Sequence, residues 1–164
     1  TTTTVRGMQS KLTLSNVLVG AGGVVAFVFS FLSFFKFGNE GVNAWDGDAY
    51  AFASTLPAVL AFVAALWVIL EIAGVKLPTS VLTFSDAQLK ATWGISAFGI
   101  MLSWFSVGQD GIDKGAGYWL MFVGTGAMAV GSVLALAGIG TDPLSKPATP
   151  AAPPSDMPPP APPA

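Results

Sequence analysis

The sequence has no cysteine and no histidine. The first absence excludes disulfides, thiolate nucleophiles and cysteine-held metals. The second excludes imidazole ligation of haem or zinc and histidine acid–base catalysis. Charge is scarce as well: Lys, Arg, Asp and Glu make up 10% of the chain, against about 25% in an ordinary soluble domain. The formal net charge is -2, so there is no basic field to attract nucleic acid. What is abundant is apolar. Of the 164 residues 52% are hydrophobic, and the mean hydropathy is +0.66.

The apolar residues fall into four nearly uncharged runs. A helix needs about 20 apolar residues to cross roughly 30 Å of hydrocarbon. Backbone polar groups inside lipid must be satisfied within the segment, which favours helices. The runs predict helices at about 14–35, 49–75, 88–107 and 116–140. The expected fold is an all-α membrane protein, an antiparallel four-helix transmembrane bundle over 14–140. A cytoplasmic N-terminal segment, 1–13, precedes it, and a disordered Pro/Ala-rich cytoplasmic tail, 141–164, follows. No charged stretch, short apolar core and cleavage site precede the first run, so no signal peptide is expected.

Orientation follows from Lys and Arg in the connections. Arg6, Lys11, Lys76, Lys90 and Lys146 fall on one side, and Lys36 and Lys114 on the other. The richer side is expected to be cytoplasmic, which puts the chain in a plasma (inner) membrane with both termini inside. Glu40, Asp46, Asp48, Asp110 and Asp113 then lie outside. Trp45, Tyr50, Trp104, Tyr118 and Trp119 fall at the outer ends of the runs and Trp67 and Trp93 near the inner ends, as interfacial rings do.

After Gly140 the chain holds ten of its twelve prolines. Such a segment forms neither helix nor sheet and has polyproline II character. It reads as a spacer, and Pro160 to Pro163 offers a PxxP spacing to a cytoplasmic partner. Small residues recur at four-residue spacing in each run: Gly22, Ala26 and Ser30; Ala53, Pro57, Ala61 and Ala65; Gly99 and Ser103; Ala127, Gly131 and Ala135. Such stripes let helix backbones approach closely in lipid, within the chain or against other membrane proteins. Pro57 deletes one helix hydrogen bond and predicts a kink.

Glu71 is the only acid inside a run. Counted from Tyr50 it lies about 32 Å along a helix, at the inner boundary, where an ion pair with Lys90 is expected. A proton relay there has no second buried titratable group to continue it.

The stretch FGNEGVNAWDGDAYAF brings Glu40, Asp46 and Asp48 within nine positions. A calcium loop needs more ligands at alternating positions and a distal Glu, whereas Glu40 precedes the pair. Turn chemistry accounts for Asn-Glu-Gly and Asp-Gly-Asp, with Asp48 suited to cap the second helix. No catalytic, cofactor-binding or metal-ligating residue is assigned.

The aromatic run FSFLSFFKF, the loop NAWDG, the connection VKLP and the proline–alanine tail resemble the small four-span membrane proteins of actinobacteria with proline-rich C-terminal tails, the mycobacterial 34 kDa antigen-like group. The likeness covers roughly residues 14 to 164. It implies envelope membrane residence and partner scaffolding, and carries over no catalytic residue. The expected function is a non-enzymatic integral membrane protein, an accessory or scaffolding subunit of an envelope complex. The alternative is a small ion or lipid transporter or channel acting as an oligomer.

Overall fold

A computed structural model of the chain describes residues 12–46, 51–78, 80–106 and 112–144. Arg6, Lys11, Asp48, Tyr50, Asp110, Lys146 and the proline-rich tail from 145 on lie outside the described residues, as does the expected cap at Asp48.

The elements, in order, are α1 (Leu14–Phe29), β1 (Ser33–Phe37), β2 (Glu40–Asn43), α2 (Ala51–Ile72), β3 (Ser80–Val81), β4 (Phe84–Ser85), α3 (Asp86–Ser106), β5 (Ile112–Lys114) and α4 (Ala116–Leu136). The four helices pack in a ring in which α1 touches α2 and α4, and α3 touches α2 and α4. Neighbours run antiparallel: the start of α1 meets the segment after α4 (Ser15 N–H to the Gly140 carbonyl, 3.2 Å), and the end of α2 meets the start of α3 (Glu71 to Lys90). At that same end Leu144 N–H returns to the Leu12 carbonyl at 2.9 Å.

The opposite end carries an antiparallel three-stranded sheet in the order β2-β1-β5. The Ser30 hydroxyl donates to the Phe27 carbonyl at 2.6 Å, a local bond that competes with helix continuation. The aromatic SFFKF segment then extends as a strand, as β-prone residues favour. Gly38, at φ +60°, opens the turn that sets Phe37 opposite Glu40. A register shift between Ser33 and Phe35 breaks the strand's alternation, and both Phe34 and Phe35 are buried. They pack with Trp104, Tyr118, Met101 and Met121 between the sheet and the helices.

The expected all-α, four-span bundle is therefore corrected. The chain is mixed α and β, and only two of its described helices are long and apolar enough to cross a membrane, at Phe52–Ile72 and Ala116–Leu136. The description as a multi-pass four-helix bundle falls with it. α1 has 16 residues, about 24 Å at 1.5 Å per residue; the first apolar run is a helix followed by a strand. α3 has 21 residues but carries Asp86, Gln88 and Lys90 in its first turns. Hydropathy counts apolar residues without distinguishing a buried aromatic strand from the end of a helix.

Two further points concern single residues. α2 continues through Pro57 as one helix. The Ala53 carbonyl, which the missing Pro57 N–H leaves without its helical donor, accepts from the Trp104 indole N–H at 3.3 Å. Trp104 and Tyr118, expected as boundary rings, are core residues, with Tyr118 fully buried and its hydroxyl donating to the Met101 carbonyl at 3.1 Å.

Candidate functional site

Polar chemistry converges where the end of α2 meets the starts of α1 and α3. The local sequence explains the placement. Ser85 and Gln88 form a reciprocal capping box: Ser85 N–H donates to Gln88 Oε1 at 2.9 Å, and Gln88 N–H to Ser85 Oγ at 3.4 Å. A Ser-x-x-Gln pair of this kind starts a helix at the next residue. Asp86 thereby occupies the first turn of α3, where the helix dipole favours an acid. Lys90 follows one turn later on the same face. Across the ring, Thr13 Oγ1 accepts from Asn16 N–H at 3.2 Å and caps α1, which fixes Asn16 at the start of that helix.

Lys90 is the centre. Its side chain is 2% exposed, while Glu71 and Asp86 are 27% and 41% exposed. The ammonium donates to Glu71 Oε2 at 2.6 Å, Asp86 Oδ2 at 2.7 Å and Asn16 Oδ1 at 3.0 Å. An ammonium has three protons, so its donors are matched by one acceptor from each of α1, α2 and α3. The fourth helix joins through the backbone: Ser132 Oγ donates to the Lys90 carbonyl at 2.9 Å. The second oxygen of Asp86 accepts from the Trp67 indole N–H at 2.6 Å, and Trp67 stands edge-on to Trp93 with centroids 5.7 Å apart.

This arrangement ties three helices together through one ammonium. One lysine and two acids give the cluster a formal charge of −1. Among the described residues no group of three or more acids gathers as metal ligands, and no buried side-chain polar atom lacks a partner. The expected Glu71–Lys90 pair forms. Its companions Asn16, Asp86 and Trp67 are fainter in the sequence, where Ser85-x-x-Gln88 and the Asp86–Lys90 spacing signal only Asp86.

Glu40, Asp46 and Asp113 lie exposed at the sheet end, away from the cluster. The small-residue stripes divide. Gly22, Ala26, Ala61, Ala65 and Gly131 sit inside the ring, with Gly22 against the Gly124 carbonyl and Gly23 against the Ala61 carbonyl. Gly99 and Ser103 face outward, and nothing lies within 4 Å of a Cβ built on Gly99. Comparisons with family models, curated proteins and solved structures find no match.

Proposed function

We propose that the chain is a bilayer-embedded, non-enzymatic accessory or scaffolding subunit, with α2 and α4 crossing the membrane and α1 and α3 packed between them. The observation that carries this reading is the outward placement of branched aliphatic side chains: among the described residues no Leu or Ile is buried. Ala26, Ala61, Ala64 and Ala97 are fully buried, while Val28, Ile69, Leu102 and Val123 are 52, 51, 46 and 64% exposed. Water-soluble domains bury their large aliphatic residues, and contiguous apolar surface on all sides marks contact with lipid or partners. Small residues where helix backbones meet, with Leu and Ile kept to the outer surface, is the pattern of helices associating in lipid.

The interior supports a structural role over a conduit. Thr125 and Ser132, fully buried, are bonded to backbone carbonyls, and the remaining middle of the ring is Ala, Gly, Met and Val. The excess of Lys and Arg in the connections at the Lys90 end supports a cytoplasmic placement of that end, and the proline-rich sequence that follows would then reach cytoplasmic partners. Purification from native membranes in a gentle detergent tests the role. A partner in fixed stoichiometry is the expected result. A lone species that carries ions or lipid across vesicles would replace the reading with the transporter.

A further inference from the structure

We propose that the β3–β4 hairpin is an interfacial anchor, with Leu82 and Phe84 inserted at the headgroup–acyl boundary of the bilayer; this rests on the membrane reading above. Ser80 pairs with Ser85 and Val81 with Phe84, which leaves Leu82 and Thr83 as a two-residue turn. Both have positive φ, +49° and +74°, and they are the only non-glycine residues with positive φ among those described. Two successive positive φ values define the hairpin turn that Asn-Gly adopts with little cost. Leu and β-branched Thr adopt it only under strain, because Cβ crowds the backbone. Strain of this kind persists where the surroundings or a function demand it. The fold does not draw on Leu82, whose side chain is 86% exposed, the highest value for a large apolar residue among those described.

The occupant follows from continuity. Phe84, itself 47% exposed, shares a shallow groove of about 280 Å³ with Ala91 and Ile95 of α3 and Leu136 of α4, whose polar rim is Gln88, Thr92 and Ser96. Ile95 and Leu136 are each 49% exposed and belong to the outward apolar face assigned to lipid. The hairpin therefore prolongs that face at its Lys90 end. The exposed Lys76 stands in the same connection, where an ammonium on a long apolar stem suits anionic headgroups. A protein partner seated on Leu82 is the rival occupant.

The absence of native cysteine makes the test clean. The full chain with Leu82→Cys, Val130→Cys or Lys36→Cys is labelled with an environment-sensitive fluorophore. It is then reconstituted in vesicles of phosphatidylcholine and phosphatidylglycerol brominated near either end of the acyl chain. The label at 82 is expected to lose more emission to bromine near the headgroup than to bromine near the methyl end. The label at 130 should be quenched by lipid, and the label at 36 by an aqueous quencher. A label at 82 open to the aqueous quencher, with 130 still in lipid, overturns the anchor and leaves the membrane reading intact. A label at 82 shielded from both quenchers assigns the hairpin to a protein partner and also overturns it. A label at 130 in water overturns the membrane reading and the anchor together. The double variant Leu82→Asn, Thr83→Gly is expected to keep or raise the melting temperature; a fall would show that Leu82 serves the fold and would contradict the proposal.

Discussion

Neutralising both carboxylates around Lys90, Glu71→Gln with Asp86→Asn, is expected to destabilise the chain by about 3–5 kcal/mol, the usual cost of leaving a buried charge uncompensated. The cost sits on the lysine. Glu71 and Asp86 are partly exposed, and water reaches them, but Lys90 is 2% exposed and would be left with only neutral acceptors. For a chain of this size about 1 kcal/mol corresponds to roughly 2–4 °C in melting temperature. The double variant should therefore melt well below the parent in the same detergent. Adding Lys90→Met to it should restore most of the loss, because an apolar replacement of a complete buried ion cluster is often neutral or stabilising. If the double variant melts with the parent, the cluster is not a brace.

Gly22→Leu is the second large effect. A Cβ at Gly22 would lie 2.5 Å from the Gly124 carbonyl oxygen and 3.0 Å from the Met128 nitrogen. These are backbone atoms of α4, so no side chain can turn aside. The reciprocal contact is as tight: a Cβ at Gly124 would meet the Gly22 carbonyl at 2.7 Å. Overpacking costs about 1–3 kcal/mol and sometimes more. With α1 and α4 forced apart along their length, a value at or above the upper end is expected, read as a lower melting temperature and a broadened elution profile. Gly99→Ala is the control. It belongs to the same kind of stripe in sequence, but its Cβ meets nothing, so its melting temperature should stay level or rise through better helix propensity.

These glycines show where the sequence was legible and where it was not. The four-residue spacing of small residues marked close helix approach in advance. It did not say which stripes faced inward, because Gly22 and Gly99 look alike until their neighbours are known. The Glu71–Lys90 pair was legible because a lone acid in an apolar run needs a partner, and only Lys76 and Lys90 lay at its depth. Asn16 was not, since it joins the pair from 74 positions away.

The sheet was missed for a physical reason. Phe34, Phe35 and Phe37 count equally toward hydropathy in a helix or a strand, and only the bulge and the contacts with Trp104 and Tyr118 reveal which. Hydropathy alone therefore overstated the helical content and the number of crossing helices. Pro57 was legible only in part: the lost hydrogen bond is a local signal, whereas the donor that meets the Ala53 carbonyl comes from a tryptophan on another helix.

The outward placement of the large aliphatic side chains in lipid is the claim on which the rest depends, and alkaline extraction of membranes from cells expressing the full chain tests it most directly. An embedded chain keeps its outward valines, leucines and phenylalanines in lipid when peripheral contacts are stripped, so it should stay with the pelleted membranes and be released only by detergent. Recovery of the folded chain in the detergent-free supernatant would contradict the account, since its exposed apolar faces would then be in water.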